Sequence, residues 1–164
     1  MKTFISHPST VFLKAMIVLI GLGALAFLIW EPTVEGRNVN ATLFQIYFQD
    51  PLLAYAYLAS VPFFVALYQG FMLLGHIARD RVFSPESVQA LRTIKHCALL
   101  LIAFVVGGEI WIVIAHGGQD DITGGVAMGV FVALASAAIA TAAAVFERLL
   151  RNAVELKSEN ELIV

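Results

Sequence analysis

Glu109 is the residue whose setting most demands a chemical account, because it stands in an apolar run from Cys97 to Ala115 with no other charge. An ionised side chain at the centre of a bilayer costs about 2.5–3.5 kcal/mol or more, so such a group is a candidate for proton or cation chemistry. Counting along the apolar runs puts Tyr57, Ser60 and Gly129 at a similar depth, and no Lys or Arg lies there. Glu109 is therefore expected to carry a proton and to hydrogen-bond to Tyr57 or Ser60. A neutral structural glutamic acid, or one whose side chain reaches water at the outer face, is the plainer alternative.

Other residue types capable of chemistry are sparse. His76 and His96 fall near the same ends of adjacent apolar runs, a spacing that could bridge a haem or a metal, but His7 and His116 fall on opposite sides and complete no second pair. Asp120-Asp121 could take a divalent cation, although two carboxylates just ahead of a helix more often cap its positive end. Cys97 is the only cysteine, which excludes an intramolecular disulfide and a cysteine-rich metal site. No apolar run carries an Asp, and neither Gly-x-Ser-x-Gly nor His-Glu-x-x-His occurs. The expectation is a protein that is not an enzyme and that holds no cofactor or metal.

These residues must be positioned by membrane helices. The chain has 164 residues, 60% hydrophobic and 13% charged, whereas soluble domains carry about 25% charged residues. Four apolar runs, at about 11–30, 51–77, 97–115 and 123–146, are each long enough for a hydrocarbon core about 30 Å thick. They lack the alternation of barrel strands, so they are helices. The predicted fold is all-α, a four-helix transmembrane bundle forming one integral membrane domain, 1–164. Ala24-Leu25-Ala26 imitates a signal cleavage site, but the apolar run continues to Trp30, which reads better as a retained span with an aromatic anchor.

Orientation follows from the basic residues. Lys2, Lys14, Arg79, Arg81, Arg92, Lys95, Arg148, Arg151 and Lys157 flank one side, and only Arg37 the other. The positive-inside rule then predicts cytoplasmic termini, N-in and C-in. There is no long basic run of the kind that binds nucleic acid directly.

Asp50-Pro51 and Ser84-Pro85-Glu86 are helix-start signals for the second and third helices. Pro62 is expected to kink the second. The third starts early, and its 85–96 extension carries Val88, Leu91, Ile94 and Ala98 on one face against Arg92, Lys95 and His96 on another. The fourth has a matching 147–157 extension, where Phe146, Leu149, Leu150, Ala153 and Val154 form an apolar stripe and Glu147, Arg151 and Glu155 a ladder of ion pairs worth about 0.2–0.5 kcal/mol each. Both extensions are expected in the cytoplasm. Leu43, Phe44, Tyr47 and Phe48 suit an interfacial anchor. Within the fourth span Gly125, Gly129, Ala133, Ala137 and Thr141 recur every four residues, a face that admits close helix packing or a homo-oligomer.

The segments YFQDPLLAYAYLASVPFFVALYQ (Tyr47 to Gln69), VFSPESVQALRTIKHCALLLI (Val82 to Ile102), GGEIWI (Gly107 to Ile112) and ERLLRNAVELKSENELIV (Glu147 to Val164) resemble the bacterial membrane family termed domain of unknown function 2975 (DUF2975). The resemblance covers the chain from about Tyr47 onward, and the tail is its most specific part. It implies a four-helix bacterial inner-membrane protein frequently encoded beside a small Xre-type helix-turn-helix regulator, and it implies no catalytic residue. The leading functional expectation is a non-enzymatic membrane regulator or tether. It would bind a cytoplasmic partner such as that regulator through Phe146, Leu149, Leu150, Ala153 and Val154. The alternatives are a proton- or cation-linked carrier or channel component using Glu109, and a structural or assembly subunit.

Overall fold

A computed structural model of the chain shows four α-helices in sequence, α1 (Pro8–Val34), α2 (Pro51–Ile77), α3 (Pro85–His116) and α4 (Thr123–Leu162). The structure describes residues 8–34, 42, 44–45, 51–116 and 123–162. Asp50, Leu43, Tyr47, Phe48 and Asp120-Asp121 lie outside the described residues, together with the capping and anchoring readings placed on them. All four helices are long and apolar enough to cross a membrane. α2 and α3 each begin with proline, where the missing N–H costs nothing, and α2 runs on through Pro62.

Successive helices are antiparallel and pack in chain order, α1 on α2, α2 on α3 and α3 on α4, with the last interface the most extensive. The α1–α2 contact is built around glycines. Leu67 lies against Gly21 and Ile17 against Gly70, while the Lys14 ammonium sits 4.9 Å from the centre of the Phe71 ring. Tyr57 donates its hydroxyl to the Leu28 carbonyl at 3.0 Å, joining the two helices near the opposite end.

The α2–α3 turn brings charge and polarity to one end of the bundle. α2 closes with Arg81 N–H donating to His76 C=O at 2.9 Å and Asp80 N–H to Ile77 C=O at 3.1 Å, the bond pattern of a Schellman cap. Asp80 occupies its left-handed position with φ 55°, a conformation an aspartate tolerates better than most residues. Ser84 then caps α3, its Oγ accepting from Ser87 N–H at 3.3 Å. Fully buried Ser87 lies between Ser84 Oγ, His76 Nδ1, each at 3.2 Å, and the Arg81 carbonyl.

The core is thin and sits largely between α3 and α4. Val88, Ala90, Leu91 and Ala98 on α3 and Ala140 and Ala143 on α4 are buried. The face of α4 turned to α3 runs Gly129, Ala133, Ser136, Ala140, Ala143, Glu147, Leu150 and Val154, alternating steps of four and three. Of the every-fourth-residue row, Gly129 and Ala133 lie on this seam, whereas Gly125, Ala137 and Thr141 are exposed, so the row as a whole is not the contact with α3. A step of four advances 400° around a helix of 3.6 residues per turn, so that row turns away from a straight neighbour within a few steps. A mean step of 3.5 keeps the small residues on one seam. Large apolar residues such as Phe12, Phe27, Trp30, Ile114, Met128 and Phe131 point outward, as they do where lipid replaces water around a helix.

Candidate functional site

Two acidic residues bracket the α3–α4 seam. At the charged end, Glu147 is the first charge after the uncharged stretch 123–146 of α4, just past a length that fills a hydrocarbon core. Its seam position faces the polar side of the first turns of α3, and three cations converge on it. Lys95 Nζ donates to Oε2 at 2.6 Å, Arg92 Nε to Oε1 at 3.1 Å, and Arg151 Nη2, one turn further along α4, also to Oε1. The carboxylate is only 4% exposed, whereas Arg92 and Arg151 keep nearly half their side-chain surface in solvent. Such an arrangement desolvates one charge while its partners keep their hydration, which lessens the usual penalty of a buried ion pair. The Lys95 hydrogen bond, followed by those from Arg92 and Arg151, lowers the Glu147 carboxyl from 4.5 to about 2 against the opposing effect of burial.

At the other end, α3 carries Gly107-Gly108-Glu109 between its two neighbours. On the α2 side Tyr55 lies on the bare backbone. A Cβ at Gly108 would be 3.0 Å from Tyr55 Cε1, and one at Gly107 would be 3.1 Å from its hydroxyl oxygen. Without those side chains the Tyr55 O–H reaches the Phe104 carbonyl at 2.6 Å, and the two rings meet edge to face at 5.5 Å. Pro51, Tyr55, Gly107, Gly108 and Trp111 enclose an apolar cleft of about 400 Å³.

On the α4 side the Glu109 side chain occupies the space left by the missing Cβ of Gly129. A Cβ there would be 2.8 Å from Glu109 Cδ and 3.2 Å from Cγ. Glu109 Oε1 is buried and accepts no hydrogen bond from a described residue. The expected pairing with Tyr57 or Ser60 is not formed: the Tyr57 hydroxyl donates to Leu28, and Ser60 Oγ donates to the Tyr57 carbonyl at 2.7 Å. The physical reason is direction. Tyr57 reaches towards α1, whereas Glu109 projects from α3 towards α4. A buried carboxyl oxygen with no donor is an unsatisfied acceptor of a kind that folded proteins rarely leave.

The remaining expected sites separate. His76 is engaged by Ser87, and His96 lies exposed nine residues beyond Ser87 on α3, about 13 Å along the axis, so the two do not form a bridging pair. Among the described residues no three His, Cys, Asp or Glu side chains converge as a metal site would require. Of the apolar stripe on α4, Leu150, Ala153 and Val154 are half-buried, while Phe146 and Leu149 remain 57% and 58% exposed. Sequence reasoning found only the Arg151 part of the Glu147 clamp, because the other two cations, Arg92 and Lys95, come from α3. The available signal was the alternating spacing that puts Glu147 in line with Ala140 and Ala143.

Four membrane-length helices among the described residues define the class, a multi-pass membrane protein. The family model described as protein of unknown function (DUF2975) matches residues 37–164, and the chain belongs to that family. It is 40% identical over 163 residues to the uncharacterized membrane protein YoaS of Bacillus subtilis (strain 168), a match covering 97% of this chain and 99% of the relative. The likeness thus extends through α1, beyond the segments that first suggested the family. No solved structure matches the chain.

Glu147 has a lowered folded-state pKa, so the unfolded chain binds more protons and the clamp stabilises more as pH rises. Its contribution is expected in full above about pH 4.5 and lost as pH falls towards about 2. Unfolding in detergent should show Glu147→Gln less stable by about 1–2 kcal/mol at neutral pH, without that acid-dependent component. Gly129→Val should cost about 1–3 kcal/mol by overpacking the Glu109 side chain. The same change in a Glu109→Ala background should recover most of that loss, a coupling measurable by a double-mutant cycle.

Proposed function

We propose that the protein is a non-enzymatic membrane tether that presents a rigid two-helix projection to a soluble cytoplasmic protein, in keeping with the basic flanks that favour a cytoplasmic location for this end. The observation that carries this reading is the continuation of α4. It has 40 residues, about 60 Å of helix against a hydrocarbon core of about 30 Å, and the excess is pinned to α3 by the Glu147 clamp. A projection held in one geometry loses little conformational entropy when a partner docks. At the edge of the α3-facing seam, Phe146 and Ala153 extend the apolar surface of Leu150 into a flank with its large aromatic exposed. The resemblance that pointed to DUF2975 supplies the partner class, a small Xre-type helix-turn-helix regulator. Photo-cross-linking from position 146 should capture that regulator, and position 25 on α1 should not. Truncation after Phe146 should abolish its recovery, and equal recovery from both positions or from the truncated chain would overturn the reading.

A second reading is favoured by one specific observation, the buried and unpartnered Oε1 of Glu109. It makes the protein a proton- or cation-linked carrier or channel component in which Glu109 takes up and releases the ion. Purified chain in proteoliposomes should then show a proton or monovalent-cation flux that Glu109→Gln abolishes while leaving the fold intact. Absence of flux, or an unchanged flux in the variant, would remove this reading.

A further inference from the structure

We infer that two copies of this chain pair in parallel through the outer seam of α4, the face turned away from α3. Chain-order packing leaves α4 in extensive contact with α3 alone. Its outer side repeats the alternating three-and-four spacing of the α3-facing seam: Met128, Phe131, Ala135, Ala138, Ala142, Val145, Leu149, Asn152 and Leu156, all exposed. This row is offset by two residues from the one on α3, which places it about 200° around the helix. A mean spacing of 3.5 residues is the pattern by which one helix follows another over several turns. The row needs a helix rather than lipid because of where it ends. Lipid can cover it as far as Val145, but Leu149 and Leu156, exposed by 58% and 61%, continue among Arg148, Arg151, Glu155 and Lys157, where hydrocarbon does not reach.

A second copy fits better than an unrelated helix for two reasons. Chains inserted with the same topology present their α4 helices in parallel, so every position on the seam meets its own counterpart in a two-fold pair. The alanines at 135, 138 and 142 would then face one another and allow close approach within the membrane. Asn152 would meet Asn152, an amide pair whose donors and acceptors match across the two-fold axis. Phe146 and Ala153 border this seam; the inference goes beyond the tether reading and rests on the outer row of α4 alone.

Single cysteines in the full-length chain, with Cys97→Ser as background, test the pairing in native membranes under mild oxidation. Val145→Cys, Leu149→Cys, Asn152→Cys and Leu156→Cys are expected to give covalent dimers several-fold more efficiently than Arg148→Cys or Leu150→Cys. A cross-linking profile that is flat, one that peaks at position 148 or 150, no dimer at all, or adducts with another protein from the seam positions would each overturn the inference. All four seam residues are exposed in the single chain, so their replacement leaves its packing intact. Asn152→Asp, which would bring two carboxylates together, should reduce dimer formation from Leu149→Cys several-fold at neutral pH, and an unchanged yield would count equally against the pair.

Discussion

The antiparallel register of α3 against α4 is held by carboxyl groups at both ends of their contact, and the rest of the structure hangs from that register. Glu147 takes Arg92 and Lys95 at the charged end, and Glu109 fills the space over Gly129 at the other. The two fixed points are 18 residues apart along α4, about 27 Å, and 17 residues apart along α3 from Arg92, a closely matching length. Between them the seam is lined by Gly, Ala and Ser, whose small size lets dispersion forces act over a long, close contact. The two ends differ in chemistry. Glu147 takes three charged donors, and Glu109 has a buried oxygen that meets no donor among the described residues.

That contrast separates structural roles from available ones. Glu147 is committed to three cations on α3 and α4 and so fixes the geometry of that helix pair. His76 is similarly consumed, since it lies with Ser84 and Ser87 at the junction where a Schellman cap hands the chain to the next helix cap. Glu109 retains unused capacity inside a helix interface. The two proposed readings thus draw on opposite ends of one seam.

Packing in chain order also shapes the molecule's outward faces. α1 touches α2 around Gly21 and Gly70, and Tyr55 reaches the Phe104 carbonyl only because residues 107 and 108 lack side chains. Close approach at these points draws each pair of neighbours together without closing a ring of helices, and the far side of α4 is left for lipid or protein to cover. A face that is apolar beyond the hydrocarbon region is the consequence with most bearing on assembly.

The four helices, their apolar surfaces and the early start of α3 were legible in the sequence, because run length, charge content and cap residues act within a few residues of one another. Ser84-Pro85 and Pro51 marked helix starts correctly for that reason. Pairings between helices were not legible. Tyr57 and Glu109 share a depth, yet one side chain is directed to α1 and the other to α4, and depth carries no information about azimuth. The Gly125 to Thr141 row looked like a contact face until the seam followed a mean step of 3.5. Glu147 looked like one member of a surface ladder until Arg92 and Lys95 arrived from α3. Composition and local propensity determined that the chain forms membrane-length helices. Only the tertiary structure decided which side of each helix meets its neighbour, because that choice depends on the rotation of whole helices and is settled by contacts between residues 20 to 61 positions apart.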